Sequence, residues 1–409
     1  MPGEPTTARA VPRFLAAAVV LVAVGTAAAC SSPSSSATSG TTSGGTTSST
    51  APSLGPWKGS LVASALPAPI QSLRAVTCPT AQRCWAVGST TPTTTAPSGP
   101  TIVGSTDGGA TWTAETVPAT VGYLSAIACA SVRSCTAVGQ IGQTGVGPGA
   151  VLATADGGAT WVLQTVPAGT SDVTAVACRP GGRCTALGVL AGRVTTLVPS
   201  TTGTWLPTGA LPPAASVATA LSCIDATDCW ATSAQAVDVS HVIGVIAVTA
   251  DGGDTWTLQH VPVGTGALQG IDCTPGTPVD GRPADAAAAS CTAVGTTATV
   301  LGAARTGQGV VLTSADGGAS WASDPVTPTS ADLLAVSCGA GPCVAVGTAV
   351  ASTPAAGLVV LTASGTRPGT SWRSAAVAPV ALPLTGVACV SLSSCVVVGE
   401  SVSARLAAA

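Results

Sequence analysis

Carboxylates are scarce in this chain, so their setting matters. It carries 17 Asp and Glu among 409 residues, and four of the Asp recur in one eight-residue frame. The frame reads STDGGATW at Ser105–Trp112, TADGGATW at Thr154–Trp161, TADGGDTW at Thr249–Trp256 and SADGGASW at Ser314–Trp321. Carboxylates held in pairs cleave glycosidic bonds by general acid–base or nucleophilic chemistry. An Asp followed by two Gly has a second reading. Its side chain accepts backbone N–H groups of its own turn, the glycines allow positive φ, and the Trp covers the hairpin with a large apolar body. On that reading Asp107, Asp156, Asp251 and Asp316 are turn residues, and Trp112, Trp161, Trp256 and Trp321 belong to the same structural motif.

Cysteine is the second reactive group. Of 15 Cys, one is Cys30 and fourteen fall in order as local pairs: Cys78 with Cys84, Cys129 with Cys135, Cys178 with Cys184, Cys223 with Cys229, Cys273 with Cys291, Cys338 with Cys343 and Cys389 with Cys395. Five pairs are spaced C-x5-C. Behind a signal peptide, an even set at short spacing predicts disulfides. No C-x-x-C redox motif and no C-x2-C zinc half-site occurs, and the only His are His241 and His260. No metal and no cofactor is expected. Neither His accompanies a visible Ser or Cys nucleophile motif.

Charged residues make up 8% of the chain and the net charge is −3, against about 25% charged residues in average proteins. No basic stripe is present to meet phosphates, which argues against nucleic acid as a partner. At the N-terminus, Arg9 and Arg13 precede the apolar run Phe14–Ala29. That run is short for a membrane span and suits the core of a signal peptide, so residues 1–29 are predicted to be one. The sequence Ala27–Cys30 resembles the lipobox of bacterial lipoproteins, in which the Cys is acylated, although Ala27 stands where that family usually has Leu or Val. The alternative is a plain A-x-A cleavage site at Ala27–Ala29. The odd Cys30 favours acylation. Residues 30–55, rich in Ser, Thr and Gly, read as a flexible tether. The localisation expected is the outer surface of the cytoplasmic membrane.

The elements that must position these groups repeat at about 50 residues, a period of propellers and solenoids. Each unit starts with a short strand (LRAVTC, LSAIAC, VTAVAC), turns through the Cys pair into a second (CWAVGS, CTAVGQ), and after a variable loop runs a third strand into the Asp-Gly-Gly turn and a fourth. The eight-residue frame resembles the Asp-box, or BNR repeat, of sialidases and of several non-enzymatic propellers, photosystem II assembly factors among them. Four strands per repeat describe a propeller blade, and seven Cys pairs matched by seven repeat Trp (Trp57, Trp112, Trp161, Trp205, Trp256, Trp321 and Trp372) predict an all-β, seven-bladed β-propeller with four-stranded antiparallel blades across residues 56–409. The resemblance implies that the box lies on the periphery, away from the active site. TTGTW at Trp205 and RPGTSW at Trp372 are decayed copies. Pro56–Pro67 is expected as the outer strand of the last blade, so that N- and C-terminal strands close the ring.

Alternating strand direction puts the Cys-pair turns and the Asp-box turns on one face, and the variable loops and connectors on the other. Variable loops on a rigid scaffold are where binding sits. The candidates there are Arg74, Tyr123, Gln140, Asp172, Arg193, His241, Gln269, Arg305 and Asp332. A sialidase-like site would need an Arg cluster, a Tyr nucleophile with a Glu partner and an acid/base carboxyl. Tyr123 is the only Tyr, it shares a segment with Glu115, and Arg83, Arg133, Arg179 and Arg183 sit in Cys-pair turns. Asp280, Arg282 and Asp285, in the long Cys273–Cys291 insertion, read as solvated loop charges. The expectation is therefore a non-enzymatic, monomeric, lipid-anchored scaffold for a protein or glycan. A glycoside hydrolase using other carboxylates, and a structural envelope protein without a ligand, are the alternatives.

Overall fold

The structure is a computed structural model, and it describes residues 60–64, 66–93, 98–142, 147–237, 242–276, 289–297, 308–327, 332–339, 343–348, 357–362, 371–376, 383–391, 394–400 and 402–407. Cys30, the signal peptide and tether, and Asp280, Arg282 and Asp285 lie outside the described residues.

Every element is a strand. β1 (Ser60–Ser64) is followed by a first sheet of β2 (Ile70–Thr77), β3 (Cys84–Thr90), β4 (Pro100–Ser105) and β5 (Thr113–Glu115). The second holds β6 (Val121–Cys129), β7 (Cys135–Ile141), β8 (Gly149–Thr154) and β9 (Val162–Leu163). The third holds β10 (Thr170–Cys178), β11 (Cys184–Leu190), β12 (Arg193–Pro199) and β13 (Trp205–Ala210). The fourth holds β14 (Val217–Cys223), β15 (Asp228–Ala236), β16 (Val242–Ala250) and β17 (Thr257–Gln259). The fifth holds β18 (Thr265–Thr274), β19 (Ser290–Thr297), β20 (Gly309–Ser314) and β21 (Ala322–Asp324). Then come β22 (Val326–Thr327), β23 (Leu333–Ser337), β24 (Val344–Thr348), β25 (Gly357–Thr362) and β26 (Trp372–Ala376) in one sheet. The closing sheet pairs β27 (Leu384–Ser391), β28 (Ser394–Gly399) and β29 (Val402–Ala407) with β1.

This corrects the expected count. Six four-stranded antiparallel blades are present among the described residues, not seven. The remaining sheet is five-stranded and mixed, because β22 joins β26 in parallel, with Trp372 N–H bonded to the Pro325 carbonyl. Its origin is local. In the third blade, too, the chain after an outer strand touches the start of the next one, but only through a single parallel bridge, Thr165 to Thr204. Pro325 to Thr327 extends that bridge into a short strand. The closure expected from the sequence is present: Ser60 pairs with Ala407 and Ser64 with Ser403, so the two ends of the chain share one sheet.

All seven Cys pairs are disulfides: Cys78 to Cys84, Cys129 to Cys135, Cys178 to Cys184, Cys223 to Cys229, Cys273 to Cys291, Cys338 to Cys343 and Cys389 to Cys395. They link the first two strands of each sheet, and in five sheets the two Cys are direct register partners. The second Cys of each pair turns into the apolar join between sheets. Cys229, Cys343 and Cys395 are at most 1% exposed and pack in three different clusters. These sulfurs are core atoms of the scaffold and offer no surface for a ligand. Disulfides in this number mark an extracellular or secreted protein.

There is no single central core. Each apolar cluster spans two neighbouring sheets: Trp85, Val87 and Ile102 of the first blade, for example, pack with Leu124, Leu152 and Trp161 of the second. The Trp of each turn carries the join. Trp161 donates its indole N–H to Glu115 Oε2 (2.6 Å), Trp256 to Thr196 Oγ1 (2.8 Å), Trp321 to Gln259 Oε1 (2.9 Å) and Trp112 to Ser403 Oγ (2.9 Å), in each case on the preceding sheet. The turns themselves are alike. Ser105 Oγ donates to Asp107 Oδ1 and accepts from Gly109 N–H, while Asp107 accepts from the backbone and hydroxyl of Thr111, and the other three copies repeat this. The second glycine is the seat for the neighbour: a Cβ on Gly158, at φ +90, would collide with Glu115.

Replacing Trp161 with Phe removes a donor from the half-buried Glu115 carboxylate and leaves a smaller ring in the join. Trp161→Phe is expected to lower stability by about 1–3 kcal/mol in urea unfolding, and a variant as stable as the parent would show that the indole bond does not hold the blades. Removing the bridge between Cys273 and Cys291 is expected to cost more than removing the one between Cys338 and Cys343, since the longer loop restricts the unfolded chain more, with about 2–3 kcal/mol per bridge. Equal losses would contradict that account.

Candidate functional site

The site is built by a repeated irregularity of the inner strands. Each of the seven has a register shift at the fourth residue before its first Cys, which makes Arg74, Ser125, Thr174, Thr219, Gln269, Leu334 and Thr385 the extra residue of a bulge. A bulge re-aims the side chain it inserts. These residues line one cavity of about 410 Å³, ringed by all seven inner strands. The hydroxyls of Ser125, Thr219 and Thr385 also donate to carbonyls of the next inner strand, at Val173, Leu268 and Leu73. The recurring V-G of the second strand has its cause here. A Cβ on Gly88 or Gly139 would collide with the carbonyl of Ser72 or Tyr123. The fourth blade departs from this: Ser233 replaces that glycine, and its Oγ donates to the Val217 carbonyl (2.8 Å).

A larger cavity of about 770 Å³ opens at the loop end between the first and second blades and is lined by Gln71, Arg74, Tyr123, Gln140 and Glu400, with serines and glycines. Arg74 lies over the Tyr123 ring, 4.7 Å from its centroid, a contact in which the ring quadrupole attracts the guanidinium. Arg74 and Tyr123 also line the axial cavity, so the two spaces meet at this pair. Gln140 donates through Nε2 to the Ser171 carbonyl (3.4 Å), beside Asp172. Asp172 occupies on the third inner strand the place that Tyr123 has on the second. Burial pushes its carboxyl up to about 6, opposed only by the Val173 N–H. Its Oδ1 is buried with no hydrogen-bond partner among the described residues.

The structure thus brings together Arg74, Tyr123 and Gln140, adds Gln269 in the axial cavity, and leaves Asp172 outside the lining of both. Asp332 takes the position of Asp172 in its own repeat, just before β23, and its carbonyl accepts the Thr348 N–H. Arg193 stands apart, donating Nη2 to the Leu211 carbonyl (2.8 Å). His241 and Arg305 lie outside the described residues. Sequence reasoning missed Glu400 and Gln71. Glu400 follows a C-V-V-V-G second strand directly, which is a variable-loop position, and that was the available signal. Glu115 is structural: besides Trp161 it accepts the indole N–H of Trp85 (3.0 Å), and burial raises its carboxyl. The four turn Asp are structural in the same sense, and the hydroxyl and N–H of Thr111 and Thr160 hold Asp107 and Asp156 down to about 2. Among the described residues no group of three His, Cys, Asp or Glu could hold a metal. The loop face also exposes Val217, Val237, Ile243 and Val263, the last almost completely.

No protein-family model and no curated protein matches the sequence. Solved structures do. YCF48 bound to D1 peptide superposes with a TM-score of 0.56 at 13% identity, covering 88% of this chain and 99% of that one. A catalytically inactive virginiamycin B lyase from Staphylococcus aureus with quinupristin gives 0.58 at 12% identity, covering 86% and 100%. At such identities the likeness is one of fold, and this chain is an all-β propeller. The two neighbours show that the same fold serves a peptide-bound protein and a lyase, so function must be argued from the site.

The two classes of Asp titrate in opposite senses. Asp172 prefers its neutral form when folded, so its contribution to stability is present below about pH 4 and lost as pH rises through about 6. Asp172→Asn should therefore raise the melting temperature above pH 7 and leave it unchanged near pH 4. The turn Asp prefer the charged form, and their contribution is lost as pH falls from about 4 toward 2. A melting curve for Asp172→Asn that parallels the parent at every pH would refute the first assignment.

Proposed function

We propose that this chain is an Asp-box propeller lipoprotein, anchored outside the cytoplasmic membrane through an acylated Cys30, and that it works as a non-enzymatic binding scaffold for a protein or glycan. The observation that carries this is the loop-face cavity. It offers a guanidinium seated on an aromatic ring, two side-chain amides and one carboxylate, Glu400, among its described lining residues. That is a recognition set. A glycosidase needs two carboxyl groups facing one bond. The scarcity of charge elsewhere makes hydroxyl and backbone hydrogen bonds the bulk of any contact.

A second reading keeps one observation in its favour. A carboxyl raised to about 6, as at Asp172, suits a general acid. In that case Glu400 or Asp332 would be its partner, and the reaction would be glycoside hydrolysis.

The test is capture from the native envelope after mild crosslinking, with the double variant Arg74→Gln, Tyr123→Ala as the control. A partner caught by the parent and lost in the variant, with no glycoside cleavage by either, supports the scaffold. Turnover that disappears in Asp172→Asn supports the hydrolase. No partner and no turnover favours a structural envelope protein.

A further inference from the structure

Charge is segregated on the turn face of the propeller, with arginines in the first three blades and carboxylates beyond them, and the chain enters on that face. β1 takes the place of a fourth strand, and Ser60 lies opposite Ala407, at the end of β29 remote from the Glu400 loop. The described chain thus begins on the face of the disulfide and DGG turns. On the same face, the first three blades carry Arg83, Arg133, Arg179 and Arg183 in their disulfide turns, a grouping that forms no basic stripe in the sequence and arises only from the blade order.

These turns are contiguous. The Arg83 Nη2 lies 3.8 Å from where a Cβ on Gly157 would stand, Gly157 donates its N–H to the Arg133 carbonyl (3.0 Å), and Gly181 donates to the Ala130 carbonyl (2.8 Å). Arg133 and Arg183 are exposed on their turns, and Arg179 is partly so. No carboxylate pairs with Arg133, Arg179 or Arg183 among the described residues. Asp107 and Asp156 share the sector, and the bonds of their own turns keep both ionised, so the sector holds four arginines against two turn carboxylates. The fourth blade ends the sector, since its turns hold Asp225, Asp228, Asp251 and Asp254.

We propose that this arginine sector docks on the anionic headgroups of the membrane that holds the tether, so that the turns of the first three blades lie against lipid and the loop-face cavity points away from it. The occupant follows from charge and from where the tether enters. Guanidinium forks suit phosphate oxygens, and a basic patch near an anionic leaflet strengthens a lipid anchor and orients the domain. This rests on the anchored reading of Cys30.

The test uses the full chain after signal-peptide removal, with and without Cys30→Ala, and vesicles of phosphatidylcholine alone or mixed with phosphatidylglycerol. Unacylated chain is expected to bind the anionic vesicles about tenfold or more tightly than neutral ones and to lose this at about 0.3 M salt. The triple variant Arg133→Gln, Arg179→Gln, Arg183→Gln should bind both alike. Hydrogen exchange on the parent should show protection at residues 130–134 and 179–183 on anionic vesicles, with residues 91–93 and 141–142 unchanged. Equal binding to both vesicles, or protection on the loop face instead, overturns the proposal without any variant having to fold. Acylation is read separately, by mass and detergent partitioning of the parent against Cys30→Ala. An unacylated parent defeats the anchor while leaving the vesicle result to decide the docking.

Discussion

No sheet of this protein can bury its own faces. Each apolar cluster is shared by two neighbours, and at four of the joins the indole N–H of a turn Trp reaches the preceding sheet. Everything else depends on that join. It explains why the motif is written repeatedly: the Asp and hydroxyl fix the turn, the second glycine makes room for the neighbour, and the Trp bonds to it. Stability is then a sum over interfaces between units that do not stand alone. The pairing of β1 with β29 supplies the interface that an open row would lack.

The same dependence shapes the site. With few aromatic residues, the ring is drawn together at the axis by bulges, and each bulge inserts one side chain into the central space. Most of these are hydroxyls, and three of them are bonded to the next strand, so they serve cohesion. Arg74 is the cation among them, and its neighbour Tyr123 gives it a fixed orientation. The chemistry-bearing spot therefore arises where one repeat departs from the pattern of the others.

The disulfides and the charges divide the molecule in a complementary way. Bridges at the turn end clamp the first hairpin of every sheet, and the buried sulfurs of Cys229, Cys343 and Cys395 are part of the joins as well as of the clamps. The loop end carries the larger cavity, the raised carboxyl of Asp172 and exposed valines. Rigid and variable ends are thus separated along the axis, the arrangement expected of a scaffold that holds a site steady.

By itself the sequence determined what is local and periodic: strands in fours, the Cys pairs, the Asp turns and the closure of the ring by its two ends. These follow from spacing and turn chemistry, which act over a few residues. The fifth strand at Val326–Thr327 was not legible, because two residues become a strand only when a neighbouring Trp372 offers its edge. Nor was the cavity. Gln71, Arg74, Tyr123, Gln140 and Glu400 come from three different blades, and Glu400 is far from the others in sequence. Only the closed ring brings the end of the chain beside its beginning, and so only the tertiary structure decided which of the scattered polar residues meet.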